Sequence, residues 1–329
     1  MIFVLLTIQT TATAGSVYVW GSNIGYNSAA CASSSTTGYW PPGPACPKSK
    51  STTVAFSLAP KPDVSTTGTG CPVGNGAVGY FVNGAAIFGF SDTQSYSNQN
   101  IWHNIAQEFE VYDMDVCNGH ASPNFQYHHH AHSPCLAARL NDVGSSHSPI
   151  YGWMNDGYPI YGPYNGPQVY ASPCWKKRDY SSATTGCTGG QRTCQLSSQV
   201  DITKGTKTVT SGPNVGSTIT TLSSNTISTN SGIYAEDYYY DASCYAQGGA
   251  NLDSHNGHSH GNLGYHYHLT IDSITQKPVF PYIVGPTLYG CTGCAGGSAV
   301  CGTSTGVAMS SATCLNAKPP TRAPSSSPV

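Results

Sequence analysis

Histidines in this chain follow a pattern written twice. Asp115-Val116-Cys117-Asn118-Gly119-His120 leads to Tyr127-His128-His129-His130, and Asp253-Ser254-His255-Asn256-Gly257-His258 leads to Tyr265-His266-Tyr267-His268. The shared residues keep a single offset, since 253 − 115, 258 − 120 and 268 − 130 are all 138. Imidazole is a common ligand of Zn, Cu, Ni and Fe. Side chains alternate between the two faces of a strand, so a strand at 265–268 puts His266 and His268 on one face and Tyr265 and Tyr267 on the other. His258 joins them from an Asn-Gly turn eight residues upstream. Three histidines with an open fourth position can hold a catalytic Zn²⁺ or a copper ion. The candidate ligands are therefore His120, His128 and His130 in the first copy, and His258, His266 and His268 in the second. The expected ion is Cu or Zn, in one shared site or two equivalent ones.

Setting one copy against the other sorts the remaining histidines. His129 occupies the slot of Tyr267 and should face away from the ligands. His132 shares parity with His128 and His130 and stays a candidate. His255 stands where the first copy has Cys117, so neither position is obligatory, and His260 stands where the first copy has Ser122. Asp115 and Asp253 are common to both copies, and are expected to orient an imidazole N–H or to bind directly. His103 and His147 are unrepeated and take a structural reading. The alternative for the whole motif is a buried hydrogen-bond network that locks two β units together. Tyr238-Tyr239-Tyr240 reads as core or cross-strand packing.

A second repeat supplies the elements that would carry the motif. Gly79 to Gly89 resembles Gly152 to Gly162 at an offset of 73, each with Asn-Gly or Asp-Gly (Asn83-Gly84, Asp156-Gly157) between apolar runs. That signature predicts a hairpin with a type I′ turn. The order is hairpin, histidine motif, hairpin, histidine motif, which points to an internal duplication. The predicted fold is all-β and mainly antiparallel: two related hairpin-plus-histidine-motif halves packed as one pseudo-duplicated domain, with few short helices. Gly89 to Asp115 spans 26 positions and Gly162 to Asp253 spans 91, so the second unit carries about 65 more. The excess falls in the Thr/Ser/Gly-rich stretch at about 176–232, expected to be a surface insertion with short strands such as Lys207 to Thr210.

With 329 residues there is ample material for a core, and only 9% are charged, for a formal net charge of −2. Such a chain lacks the basic face of a nucleic-acid binder, and Lys176-Lys177-Arg178 reads as a solvated loop. Low charge with 22 Tyr and 37 Gly suits a β-rich fold. Residues 1–14 read as a secretory signal, apolar from Ile2 to Ile8 and ending in Ala12-Thr13-Ala14, although no Lys or Arg precedes the apolar run. No other stretch approaches the ~20 apolar residues of a bilayer span.

The 13 cysteines fit an oxidising compartment. Cys117 and Cys135 flank the first motif and form the favoured disulfide, a clamp on the ligand-bearing loop. Cys174, Cys187 and Cys194 make one local group, and Cys291, Cys294, Cys301 and Cys314 another. The organisation so read is a signal at 1–14, a Ser/Thr/Pro-rich region at 15–69, the β domain at 70–290, a Cys-rich segment at 291–316 and a Pro/Ser/Thr tail at 317–329. Such a tail is of the kind that attaches exported proteins to a cell wall or matrix.

Three stretches in this order resemble the YHYH domain proteins of bacteria and eukaryotes. They are Asn118-Gly119-His120 with Tyr127 to Ala131; Asp156 to Pro163; and Asn256-Gly257-His258 with Tyr265 to His268 and Tyr282 to Gly285. The resemblance covers about residues 70–290, with 127–130 differing from the motif at His129. It implies an exported protein and carries no biochemical role. Three functions stay open. The first is a secreted or cell-surface metal-binding protein. The second is a metalloenzyme at the same site, either a hydrolase or a copper oxidoreductase. The third is a structural or adhesive extracellular protein. A hydrolase needs a general acid or base near the ion, and Asp115, Asp253 and Glu236 are the nearby carboxylates in sequence.

Overall fold

Eight strands form the central sheet of the computed structural model, numbered here in chain order: β1 (Ala77–Phe81), β2 (Ala86–Phe88), β3 (His120–Ala121), β4 (Tyr127–His129), β5 (Ile150–Met154), β6 (Pro159–Tyr161), β7 (Gly257–Ser259) and β8 (Tyr265–His268). The structure describes residues 71–221 and 224–290, with shorter pieces at 3–6, 9–10, 47, 50–51, 54–57 and 60–63. Its described part is mainly antiparallel β-structure with few, short helices. The spatial order is β7-β8-β6-β5-β1-β2-β4-β3. Read from either edge, it gives a histidine hairpin and then a plain hairpin. β4 runs parallel to β2, with His128 beside Ala86, and β8 runs parallel to β6, with His268 beside Tyr161. The two units are thus placed equivalently about the β1–β5 pair.

That central pair brings the two backbones unusually close. Gly79 lies opposite Met154, and Gly152 opposite Phe81. A Cβ on Gly79 would stand 2.6 Å from the Trp153 carbonyl oxygen, and one on Gly152 would run into the carbonyl of Tyr80. Only glycine fits there.

Both predicted plain hairpins form, but their turns differ from type I′. Gly84 N donates to Phe81 O (2.9 Å) and Phe81 N to Ala85 O (2.9 Å); Gly157 N donates to Met154 O (2.8 Å) and Met154 N to Tyr158 O (3.0 Å). Gly84 and Gly157 have φ of 88° and 90°, while neither Asn83 nor Asp156 has a positive φ. Type I′ needs positive φ at both central residues, so these are three-residue loops closed by a glycine bulge. The cause is side-chain competition. Asn83 Oδ1 accepts from Ala85 N (3.0 Å) and Asp156 Oδ1 from Tyr158 N (3.1 Å), the Asx interaction that favours a right-handed first half of the turn.

Alternation then gives the sheet two unlike faces. Phe81, Ile87, Met154, Tyr265 and Tyr267 join the main apolar core. On the opposite face, Tyr80, Ala86 and Trp153 pack with Phe56, and this face carries the paired histidines.

The stretch expected as surface insertion does more than decorate. It forms two short hairpins, Cys194–Leu196 with Thr206–Thr208 and Thr218–Thr220 with Thr226–Ser228. Residues on either side of it pair as well, Trp175–Lys177 with Tyr238–Tyr240. Its Tyr180, together with Ile233 and Tyr234, shares a second core with Trp102 and Phe109 of the first unit. Trp102 Nε1 donates to Thr210 O (2.9 Å). Low apolar content concealed this, because the insertion's scattered apolar residues gather around Trp102 and Phe109 of the first unit. Within the insertion Arg178, read as part of a solvated loop, is instead buried and donates to Cys194 O (3.2 Å) and Glu236 O (3.3 Å).

Disulfides link Cys117 to Cys135, Cys174 to Cys244 and Cys187 to Cys194. The first is the expected clamp. It ties the turn before β3 to helix Pro134–Leu140, which starts on the Ser133 cap and Pro134 and stops at left-handed Asn141. Cys174 leaves its local group because the pairing of 175–177 with 238–240 sets it beside Cys244. The segment read as a signal includes Phe3–Leu6, paired antiparallel with Val54–Ser57. The Cys-rich segment at 291–316 and the tail at 317–329 lie outside the described residues. Among those described, no helix is long and apolar enough to cross a membrane.

Candidate metal centre

Each histidine hairpin is built by an aspartate that closes its loop. Asp115 Oδ1 accepts from Cys117 N (2.8 Å) and Gly119 N (3.2 Å), and its Oδ2 from the Tyr127 hydroxyl (2.7 Å). Asp253 does the same for His255 N (2.8 Å), Gly257 N (3.1 Å) and the Tyr265 hydroxyl (2.9 Å). These bonds shape the turn and pin the tyrosine, so the expected role of orienting an imidazole is not the one these carboxylates perform here. Backbone carbonyls take it instead. His128 Nδ1 lies 3.1 Å from Gln126 O, His130 Nδ1 2.6 Å from Gly89 O, His266 Nδ1 2.8 Å from Gly264 O and His268 Nδ1 2.7 Å from Gly162 O. A carbonyl only accepts, so each Nδ1 carries a proton. Burial keeps His128, His266 and His268 neutral, so these three rings present a bare lone pair at Nε2.

In the first unit the ring nitrogens converge. The ligand atoms of His120, His128 and His130 all lie within 4.8 Å of one another, and the Nε2 atoms of His128 and His130 are 3.0 Å apart. Two ligands of one ion at 2.0–2.1 Å are about 3.3 Å apart at a tetrahedral angle, close to this spacing. Phe88 stacks on the His128 ring at 3.8 Å and fixes its plane. A fourth group was not foreseen. Glu110 Oε2 lies 3.2 Å from His130 Nε2 and 3.5 Å from His120 Nε2. Burial pushes the Glu110 carboxyl up, yet the hydrogen bond to His130 and the imidazoles of His130 and His120 outweigh it and hold it below the usual value.

The second unit gathers more rings. His258, His266 and His268 stand with centroids 4.9–5.2 Å apart, and two further histidines enter the same cluster. His147 groups with His266 and His268, and His260 with His258 and His266, in each case with ligand atoms within 4.8 Å. His147, read from sequence as structural, is held by Nδ1 against Ser148 O (2.9 Å). Buried in this cluster without a hydrogen-bond partner are Nε2 of His147, His258, His266 and His268 and Nδ1 of His260. Burial first, with neighbouring imidazoles adding to it, holds His258 down to about 4 and His266 down to about 3, and His268 well below its ordinary value. All three are neutral at pH 7.

The remaining histidines lie apart from the first group: His129 as its parity requires, and His132 although its parity with His128 and His130 makes it a candidate. His129 faces the main core, edge-on to Phe81 at 5.5 Å, with Nδ1 2.9 Å from Asn118 O. His132 packs near Tyr151, apart from the three-histidine group. His255 Nδ1 lies 2.9 Å from Thr287 O. His103 pairs with Glu236, the carboxylate nominated for catalysis, at 2.5 Å and away from the histidine groups.

Residues 55–190 match the family model described as YHYH protein. The match takes in both plain hairpins and the first histidine motif, and ends before the second motif. No curated protein and no solved structure matches the chain.

Proposed function

We propose that this is a secreted or cell-surface metal-binding protein that holds Cu or Zn at two imidazole-rich sites on one face of a β-sheet. His120, His128 and His130 with Glu110 form the first, and His258, His266 and His268 with His147 and His260 the second. The single observation that carries the reading is the set of buried imidazole nitrogens with no hydrogen-bond partner in the second cluster. An unsatisfied buried acceptor costs roughly 1–3 kcal/mol, and a purely structural network would have spent these atoms on donors. A cation satisfies them together. In the first site, the Nε2 atoms of His128 and His130 stand 3.0 Å apart beside the Glu110 carboxylate, where a single cation would meet all three. The disulfides fit the oxidising compartment that export implies.

Elemental analysis of the untagged chain after Zn²⁺ loading and dialysis tests this. Two ions per chain are expected, with electron paramagnetic resonance reporting Cu²⁺ in a copper-loaded sample. Content below about a tenth of an ion per chain would refute the reading.

The same burial sets an acid limit on the metal-free chain. Unfolded histidine takes a proton near 6.5, whereas folded His258 and His266 do so at about 4 and about 3. Between these values the unfolded state binds more protons, so stability is full above about pH 6.5 and falls as pH drops toward 4. Urea unfolding with EDTA across pH 7.5 to 4 reads this directly. A midpoint that stays level over the window contradicts the buried neutral rings.

One observation favours an enzyme as the second reading. The first site alone pairs its imidazoles with a carboxylate, and in a zinc hydrolase such a group near the ion would act as ligand or as general base on a bound water.

A further inference from the structure

The first histidine site opens into a cleft of about 540 Å³, whose lining includes His120, His128, His130 and Glu110. We infer that this cleft receives a neutral, hydroxyl-rich ligand of the saccharide class, held over the ion of the first site. The inference rests on the metal-binding reading above and adds what that site would meet. The volume lies in the ~300–1,000 Å³ range of small-molecule sites.

The lining sets the ligand's chemistry. Among the described residues no lysine or arginine lines the cleft, while Asp92 and Glu110 do. With a divalent ion in the first site, Asp92 and Glu110 balance its charge, so a phosphate, sulfate or uronate ligand gains no net attraction from the lining. The rest of the wall mixes hydroxyls and amides, such as Ser95, Gln94 and Thr220, with apolar and aromatic side chains such as Phe88, Tyr96 and Ile219. Short hydroxyl and amide groups exchange hydrogen bonds with sugar hydroxyls, and flat rings take the apolar face of a pyranose. An ion held by three imidazoles and Glu110 would take an oxygen of the ligand by expanding to five-coordinate, as such sites do in the course of reaction.

Two further features mark the cleft as built for use. Thr93, Ser97 and Asn98 line it with left-handed φ of 71°, 52° and 54°. Such conformations cost energy in non-glycine residues, and persist where the surroundings enforce them, often at binding sites. The enforcing bonds are present: Asn100 N donates to Ser95 Oγ (2.8 Å), Tyr96 N to Trp102 O (3.0 Å) and Asn104 Nδ2 to Asp92 Oδ2 (3.0 Å). The opposite rim, Ile219 to Thr221, comes from the insertion of the second unit, so that insertion walls the first site.

Isothermal titration of the Zn²⁺-loaded full chain with neutral cello-, xylo-, laminari- and chito-hexaoses, with oligogalacturonate as the anionic control, tests the inference. Zinc content is measured on each sample. At least one neutral hexaose is expected to bind with a dissociation constant of 1 mM or tighter. Tyr96→Ala and the exposed Thr220→Arg are each expected to weaken it about tenfold with zinc content unchanged. Absence of neutral binding by zinc-loaded protein, tighter binding of oligogalacturonate, or affinity unmoved by Thr220→Arg in a folded chain would each overturn it. A chain that holds no zinc fails the metal-binding reading first, and this inference with it.

Discussion

Replacing His128 and His130 together by alanine will lower the zinc content from two ions per chain to one. Two Nε2 atoms of the first site, 3.0 Å apart, are lost, leaving only His120 and Glu110 of the proposed ligands. Loss of partners that merely orient a ligand already costs about 10–100-fold in metal affinity, so removing two ligands should cost more than a hundredfold. The fold should persist, because Tyr127 and His129 keep the core side of β4 intact, and the β2–β4 pairing is made by backbone. Elemental analysis with circular dichroism is the measurement. A folded double variant that still carries two ions would show that these rings are not ligands.

The largest stability loss is expected from Asp237→Ala. This carboxylate is fully buried. It accepts from Arg192 Nε and an Arg192 terminal nitrogen (2.8 Å each), from Gly232 N (2.9 Å) and from Tyr234 N (3.1 Å). Arg192, also buried, spends its remaining donors on Pro213 O (3.0 Å), Thr229 O (2.9 Å) and Asn230 O (3.0 Å). Removing one partner of such a pair strands the other charge and costs about 3–5 kcal/mol. Guanidinium unfolding of the wild-type and variant chains should show that loss, with a smaller one for the double change Arg192→Met with Asp237→Leu. A loss under about 1 kcal/mol for Asp237→Ala would mean that the pair does not organise the insertion.

Much of the sheet was legible because period and repetition report the same thing. Alternation assigned His128 and His130 to one face and His129 to the other, and the offset of 73 located both plain hairpins. What escaped lies where the units differ. Glu110 is five residues ahead of the first motif and has no counterpart before Asp253, where Gly248 stands at the equivalent offset. His147 comes from the loop after helix Pro134–Leu140, and reaches the second cluster only through the fold. Comparing two copies finds what they share and is blind to what each added. The turn type escaped for a more local reason, since an Asn or Asp side chain bonding two residues ahead competes with the backbone geometry that Asn-Gly and Asp-Gly otherwise favour.

The rim at Ile219 to Thr221 is encoded about ninety residues downstream of the histidines it faces. On the proposed function, changes in that threonine-rich ribbon would alter which molecules reach the first site without disturbing its imidazoles. Selectivity and coordination would then sit on separate stretches of the gene, free to diverge at different speeds, and variation among natural versions of this protein should collect in the ribbon before it touches the rings.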